Sequence, residues 1–214
     1  MRSTEIDPFS EAMTPNARVV QRREIYSSLP LSERHIETSW RKIVEAGSEE
    51  EFFTNLAALD DYRATGLHTP PFTASIEQWA DGGEDSYVLY VGHVTGSQHD
   101  QIDMQHPQIL KDYMELGTGI LDYLDTCWSN DKPYLYDITK IDQFIYGTSG
   151  TTPTPMPLLV DLELHYAYGF DKQELRWFTD EFLVPIEKSS GTHQTLLRHK
   201  IIELAEKYTL NRLS

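Results

Sequence analysis

The first third of the chain carries apolar residues at helical spacing. Between residues 32 and 46 they recur at i, i+4, i+7 and i+8, which predicts a helix that Ser32 caps and Gly47 ends; the apolar residues are Ile36, Trp40, Ile43 and Val44. Ser48 and Glu51 then form a capping-box pair. They predict a second helix that stops at Gly66, with a buried stripe formed by Phe52, Leu56 and Leu59.

The middle of the chain carries most of the predicted strands. Ser75 and Gln78 indicate one short helical turn before them. Residues 86–94, SYVLYVGHV, are β-branched and aromatic and are apolar on both faces. They predict a strand that is covered on both sides and lies centrally in its sheet. PYLYDI at 133–138 and DQFIYG at 142–147 predict two further short strands.

A long helix is predicted ahead of these two short strands. Pro107 suits the first turn of a helix, and apolar residues continue at helical spacing as far as Trp128. Gly117 and Gly119 interrupt this pattern, so we expect a bend or a break there. The Pro- and Thr-rich stretch TSGTTPTPMP at 148–157 has no periodicity and predicts a loop.

Residues 158–166, LLVDLELHY, alternate between apolar and polar positions. A strand would place the apolar side chains on one face and Asp161, Glu163 and His165 together on the other. A helix is the alternative for this segment, but it would scatter the apolar set around its circumference. We therefore predict a strand.

Two more helices are predicted near the C-terminal end. Asp171 and Glu174 form a capping box that opens a helix, and that helix must end before Pro185. Thr192 can cap the final helix, whose apolar stripe is Leu196, Leu197, Ile201, Leu204, Ala205 and Tyr208. The pattern as a whole predicts an α+β fold with a small, mainly antiparallel sheet in the middle of the chain, flanked by N-terminal and C-terminal helices.

The composition is that of a soluble globular protein, with 214 residues of which 39% are hydrophobic and 24% charged. We expect residues 1–20 to form a flexible arm and residues 21–214 to form a single α+β domain. No segment approaches the roughly 18 consecutive apolar residues of a membrane span, and we expect no signal peptide. Cys127 is the only cysteine. A single cysteine excludes an internal disulfide. We expect Cys127 to be a buried core residue and the protein to lie in a reducing, cytoplasmic setting.

The net charge of −16 is concentrated in the middle of the chain. Residues 51–145 hold 16 acids and 4 bases, whereas each flank holds 9 acids and 7 bases. Such a field repels the phosphates of nucleic acids and argues against a role in binding DNA or RNA. It would attract a basic partner protein, or simply keep the chain soluble.

The stretch GHVTGSQHDQIDMQHP at 92–107 is rich in histidine and aspartate. His93 falls at the end of the predicted central strand, His99 and Asp103 lie in the loop after it, and His106 precedes the next helix. The positive end of a helix favours a neutral imidazole, so His106 is the candidate general base. His93, His99 and Asp103 are candidate ligands of a divalent metal ion, although their spacing matches no signature that forces ligands together. The alternative is that these are loop residues that satisfy nearby backbone groups.

Asp161, Glu163 and His165 are the second candidate group. In a strand their side chains would follow one another about 7 Å apart on one face. That spacing can hold a carboxylate beside an imidazole, as a base with its orienting partner or as part of a metal site. The alternative is the solvated face of an outer strand.

Two classes of function fit these residues. In the first, the protein is a small-molecule enzyme that uses general acid–base or metal-assisted chemistry, with His106 as base and with Asp161, Glu163 and His165 in the same pocket. A divalent metal ion is compatible with this hypothesis and is not required by it. In the second, the protein is an acidic inhibitor or immunity-type protein that neutralises a basic partner.

Overall fold

The computed structural model describes residues 19–28, 38–79, 85–150, 152–162 and 165–210. The strands of this part are β1 (Val19–Ser27), β2 (Thr38–Val44), β3 (Phe72–Trp79), β4 (Ser86–Gly92), β5 (Val94–Gln98), β6 (Tyr134–Leu135), β7 (Phe144–Ser149), β8 (Thr152–Leu159) and β9 (Tyr166–Ala167). The helices are α1 (Glu49–Ala64), α2 (Pro107–Ser129), α3 (Lys172–Trp177), α4 (Val184–Ser190) and α5 (Thr195–Leu210). A π-helical segment, Phe178–Leu183, joins α3 to α4, and single 3-10 turns lie at His99–Gln101 and Ile141–Gln143.

The strands form three sheets with the orders β1-β3-β4-β2, β5-β7-β8 and β6-β9. The strand pairs described are antiparallel. This arrangement confirms the predicted α+β class and its antiparallel pairing. The strand β4 lies between β3 and β2, which confirms that residues 86–92 form a central strand.

Two predictions in the four-stranded sheet are wrong. Residues 38–44 form the strand β2, although their apolar spacing predicted part of a helix, and residues 75–78 belong to β3 rather than to a helical turn. The first part of that predicted helix, including Ser32, lies outside the described residues.

The buried Glu77 explains why β3 has no simple strand pattern. The Glu77 side chain has no exposed surface, and it accepts hydrogen bonds from Arg41 (Nη2 to Oε2, 2.5 Å) and from the Tyr90 hydroxyl. Burial of a carboxylate requires such partners, because an unpaired charge is costly away from water. Since Ser75 and Glu77 are buried on one face and Ala74 on the other, β3 lacks the alternation that marks a half-exposed strand.

The predicted cap of α1 is confirmed for Ser48, which accepts a hydrogen bond from the Glu51 backbone N–H at 3.1 Å. Glu51 accepts from the Gly47 N–H at 2.7 Å, one residue before the N-cap, so the second bond differs from that of a regular capping box. The chain leaves the helix through Gly66, whose φ of 84° lies in the left-handed region that favours glycine.

The helix α2 runs from Pro107 to Ser129, so the chain has no break at Gly117 and Gly119. The two glycines serve close packing. A Cβ at Gly117 would lie 2.9 Å from Phe182, and one at Gly119 would lie 2.7 Å from Leu67. Because glycine has no Cβ, the side chains of Phe182 and Leu67 can pack directly against the helix backbone.

The strand β8 corrects the prediction of a loop over residues 148–157. Pro157 lies in the part of β8 that pairs regularly with β7, whereas Pro153 and Pro155 lie where the register of the two strands shifts. The Leu159 N–H, at the same alternation as Pro157, donates to the His68 carbonyl rather than to β7. Pro157 therefore lies with its nitrogen on the outer edge of the sheet, and a strand tolerates proline both at such an edge and at an irregularity of pairing. Pro157 also hinders further strand pairing at that edge.

The helical segment after Asp171 continues through Pro185 and ends at Gly191, so its predicted end before Pro185 is wrong. Val184 N–H donates to the Thr179 carbonyl, five residues back, in the π-helical segment. This wider turn lies just ahead of Pro185, whose ring would crowd the carbonyls of a regular α-helical turn. The final helix begins at Thr195 rather than next to Thr192.

A contiguous cluster of buried apolar side chains joins the helices to the sheets. Trp128 lies within it and makes edge-to-face contacts with Tyr134, Phe170 and Tyr208. Its neighbour Cys127 is 1% exposed, which confirms the expected core role of the cysteine. None of the helices in the described ranges combines the length and hydrophobicity that crossing a membrane would need.

The expected division into an arm and one domain stays a prediction. Residues 1–18, which make up nearly all of the expected arm, lie outside the described residues.

Candidate functional site

A cleft of about 100 Å³ lies where the ends of several strands meet. Its walls are formed by residues 135–138, Gln143, Leu159, Asp161, Leu162 and His165, and we call it the candidate cleft. Ligand pockets for drug-sized molecules usually measure about 300–1,000 Å³. The candidate cleft therefore has room for one small polar group rather than for a large ligand.

Two antiparallel pairings bring the walls of the cleft together. In the first, Phe144 of β7 lies opposite Leu159 of β8, and Val160 N–H donates to the Gln143 carbonyl at 3.0 Å. In the second, Leu135 lies opposite Tyr166, and Tyr136 N–H donates to the His165 carbonyl at 2.7 Å. The cleft is thus built by backbone hydrogen bonds between segments that are distant in the sequence.

Asp161 is fixed in the cleft wall by an ion pair with Lys42 of β2. The Lys42 side chain is 11% exposed and the Asp161 side chain 30% exposed. The ion pair holds the Asp161 carboxylate in one position, because the Lys42 ammonium group is itself mostly shielded from solvent. Asp161 is therefore a positioned negative charge at the cleft.

The turn at residues 136–139 forms another wall of the cleft. Asp137 has a φ of 66°, a left-handed conformation that aspartate tolerates better than most residues, and its carboxylate lies 3.0 Å from Lys140 Nζ. Tyr136 packs edge-to-face against Trp177 of α3 with ring centroids 5.4 Å apart. Burial, with the nearby acids Asp137 and Glu174, raises the pKa of Tyr136. The Tyr136 hydroxyl therefore stays protonated at neutral pH and can donate a hydrogen bond.

Glu174 lies behind this turn, in the first turn of α3. Its side chain has no exposed surface, and its Oε2 accepts a hydrogen bond from Thr139 Oγ1 at 3.1 Å. Burial raises the pKa of Glu174 to about 7. The capping-box prediction holds only for Asp171, which accepts from Gln173 N–H, because Glu174 bonds to Thr139 instead.

The structure describes two residues of the predicted group Asp161, Glu163 and His165. Asp161 and His165 both line the candidate cleft. Glu163 lies outside the described residues. The strand predicted over 158–166 is wrong as a continuous element, because β8 ends at Leu159 and β9 begins at Tyr166. Asp161 and His165 therefore reach the cleft from the connection between two strands and not from one strand face.

His106 occupies the predicted position at the start of α2. It is the N-cap residue, its side chain is exposed, and it makes no side-chain capping bond. His106 is not among the residues that line the candidate cleft. The structure thus confirms the helix-terminal placement of His106 but does not bring it to Asp161 and His165.

His93 and His99 lie at opposite ends of β5. With a rise of about 3.4 Å per residue, their Cα atoms are about 20 Å apart, which is too far for both to bind one metal ion. His93 Nε2 lies 3.1 Å from Thr95 Oγ1, and Asp103 accepts a hydrogen bond from Gln105 N–H. Within the described ranges, no three His, Cys, Asp or Glu side chains are grouped as metal ligands.

His99 and Asp161 nevertheless leave the three-stranded sheet at the same end. Gln98 lies opposite Ile145, and Phe144 lies opposite Leu159, so β5 and β8 both end beside the start of β7. Since neighbouring strands are about 4.8 Å apart, the backbones of these two ends are about 10 Å apart. The loop that begins at His99 is thus near the candidate cleft without lining it.

Several residues of the cleft carried no clear signal in the sequence. Asp137 and Gln143 lie within the short strands predicted over 133–138 and 142–147. Lys42, the ion-pair partner of Asp161, lies in a segment whose apolar spacing favoured a helix. Tyr136 belongs to an aromatic stretch that could have suggested a pocket. Each of them reaches the cleft through pairings between distant segments, and local patterns do not encode such pairings.

Comparison with protein families, curated proteins and solved structures finds no match to this chain.

Proposed function

We propose that the protein is a small-molecule enzyme that carries out general acid–base chemistry in the candidate cleft. The observation that supports this proposal is that Asp161 and His165 line one concavity together with Tyr136, Asp137 and Gln143. Histidine is the side chain that accepts and releases protons most readily near neutral pH. A concave site with a few convergent polar groups is the usual setting for such chemistry.

Each polar group has a role in this proposal. His165 transfers the proton, and Asp161, held by Lys42, supplies a fixed negative charge that orients a donor or stabilises a developing positive charge. Tyr136 donates a hydrogen bond, and Gln143 can both donate and accept. The small volume of the cleft favours a small polar substrate, or a larger one of which only the reacting group enters.

The proposal assigns proton transfer to a different histidine from the one in the sequence-based hypothesis. His165 replaces His106 as the proton-transferring histidine, because His165 lines the cleft and His106 does not. Proton transfer by these side chains does not require a metal ion. A role for Glu163 and for a divalent metal stays a prediction, and so does the cytoplasmic location that a reducing setting for Cys127 suggested.

A binding screen with matched variants tests this proposal. Thermal unfolding would be followed for the wild type, for His165→Gln and for Asp161→Asn, each with a panel of small carboxylic acids, amines, amides and sugars. His199→Gln is the control, because His199 is an exposed histidine on α5 that does not line the cleft. We expect at least one compound to raise the Tm of the wild type and of the control but not of the cleft variants. The proposal fails if no compound shifts the Tm, or if every shift survives both cleft substitutions.

Docking onto a basic partner is the alternative, and the charge distribution gives it less support than the net charge suggested. Among the described residues of 51–145, seven acids form ion pairs with bases of the same chain: Asp60, Asp61, Glu77, Glu115, Asp122, Asp125 and Asp137. These pairs reduce the charge that the segment offers to a partner. Salt-sensitive retention of the protein on immobilised polylysine, lost when Asp100 and Asp103 are changed to Asn, would favour the alternative.

A further inference from the structure

We propose that Glu174 acts as a protonation-dependent latch, which holds the 136–139 turn against α3 through Thr139 and thereby sets the shape of the candidate cleft. The neutral carboxyl group is tolerated in this buried place, and its ionisation favours opening of the turn, because the cost of burying the charge outweighs the Thr139 hydrogen bond, which by itself favours the carboxylate. The inference depends on the proposed function only where it describes the turn as a wall of the active site.

The latch is a hydrogen bond between two fully buried side chains. Thr139 Oγ1 donates to Glu174 Oε2 at 3.1 Å, and neither residue has exposed surface. The other carboxyl oxygen, Oε1, is also buried and has no hydrogen-bond partner within the described residues. A buried carboxylate with a single hydrogen bond is poorly stabilised, because that bond does not replace the hydration lost on burial, whereas a neutral carboxyl group tolerates this setting.

The charges that face Glu174 also disfavour its ionised form. Asp137 approaches from the turn and Asp171 from the start of α3, while Lys140 is the base nearby. Lys140 lies 3.0 Å from Asp137 and 5.5 Å from the centre of the Trp177 ring, so its charge is shared. The hydroxyls of Tyr134 and Tyr136 also face this carboxyl group and are neutral. An ionised Glu174 would thus add a third negative charge beside a single ammonium group.

The turn contacts α3 at two points, and both points connect to the cleft. One is the bond between Thr139 and Glu174, and the other is the edge-to-face contact of Tyr136 with Trp177. Glu174 and Trp177 are three residues apart on α3, so they lie on the same side of the helix. Since Tyr136, Asp137 and Ile138 line the cleft, release of the turn would move a whole wall of it.

Hydrogen exchange of the full chain without ligand tests the latch. Exchange of peptides covering residues 134–143 would be followed at about pH 6 and about pH 8 and corrected for intrinsic rates. The ionised fraction of a group that titrates near pH 7 rises about tenfold over this range, and we expect the corrected exchange to rise by a similar factor. Peptides from residues 118–126 of α2 should not change.

Two variants separate the latch from general loosening. Glu174→Gln keeps an acceptor for Thr139 and cannot ionise, so its exchange should be slow at both pH values. Thr139→Val keeps the titrating group but removes the bond, so exchange of the turn should already be fast at pH 6. The latch is refuted if the wild type shows no pH dependence, if Glu174→Gln is as pH-dependent as the wild type, or if Thr139→Val exchanges like the wild type at pH 6.

The wild-type measurement and Thr139→Val keep the test decisive if Glu174→Gln does not fold. The exchange experiment contains no ligand, so its outcome is independent of the compound screen. Hydrogen exchange can therefore support the latch when no compound binds, and the compound screen can show a ligand site when exchange shows no latch.

Discussion

Tyr136 and His165 are joined by a backbone hydrogen bond of 2.7 Å from the Tyr136 N–H to the His165 carbonyl. The bond lies one position beyond the short ladder in which Leu135 pairs with Tyr166. Both residues line the candidate cleft. A phenol and an imidazole that are separated by 29 positions in the sequence thus share one small site.

This pairing leads to a prediction that separates stability from binding. Tyr136→Phe and His165→Gln should each change the free energy of unfolding by less than about 1 kcal/mol, because both side chains are exposed and surface substitutions are usually mild. Both substitutions should remove the Tm shift produced by any compound that binds in the cleft. Urea unfolding measures the first effect and the compound screen the second. A variant that loses several kcal/mol of stability would show that its side chain is a packing residue.

The ion pair between Lys42 and Asp161 is expected to stabilise the connection between β8 and β9. Lys42→Met would leave Asp161 partly shielded and unpaired, so we expect the free energy of unfolding at pH 7 to fall by about 1–3 kcal/mol. Asp161→Asn should cost a similar amount, and the double variant should cost clearly less than the sum of the two. Urea unfolding of the two single variants and the double variant gives the coupling free energy between Lys42 and Asp161.

The matched control for this pair is an exposed one. Lys111 and Glu115 are more than 60% exposed and 3.4 Å apart on α2, so Lys111→Met should change stability by less than about 0.5 kcal/mol. Equal losses for Lys42→Met and Lys111→Met would mean that the buried pair contributes no more than a surface pair.

The fold class was predictable, whereas several of its elements were not. The central strand β4, the cap of α1 and the start of α2 each follow from local chemistry, and the structure confirms them. The strand β8 was mistaken for a loop because its prolines are compatible only with an outer edge or an irregularity of pairing, and the sequence shows neither feature. Residues 38–44 were mistaken for part of a helix because pairing with β4 outweighs their helical spacing.

The candidate site was predictable only in part, for a related reason. Asp161 and His165 were found because carboxylates and imidazoles among apolar residues are conspicuous. The prediction placed them on one strand, whereas they lie in a connection between strands. Lys42 and Gln143 reach the site through contacts between segments far apart in the chain, and a single sequence gives no signal for such contacts.

Glu174 predicts a specific pH dependence of stability. Its pKa is raised from the ordinary 4.5 to about 7, so its contribution to stability is fully present below about pH 4.5 and is lost as the pH rises through 7. The loss is on the order of 2–3 kcal/mol. Glu174→Gln should therefore be less pH-sensitive than the wild type between pH 5 and pH 8, as measured by urea unfolding across that range. Parallel pH profiles for the two proteins would refute the assignment.

Gly117 is expected to be required for packing rather than for flexibility. A Cβ at this position would lie 2.9 Å from Phe182 and 3.0 Å from Leu197, so Gly117→Ala should force both side chains to move. Overpacking of this kind costs about 1–3 kcal/mol, and the better helix propensity of alanine returns about 1 kcal/mol. We expect a net loss of stability by urea unfolding, whereas Thr126→Ala at an exposed position of the same helix should be neutral or slightly stabilising. If Gly117→Ala instead stabilised the protein, the close contact of α2 with Phe182 would not hold in solution, and the glycine would mark a flexible point in the helix.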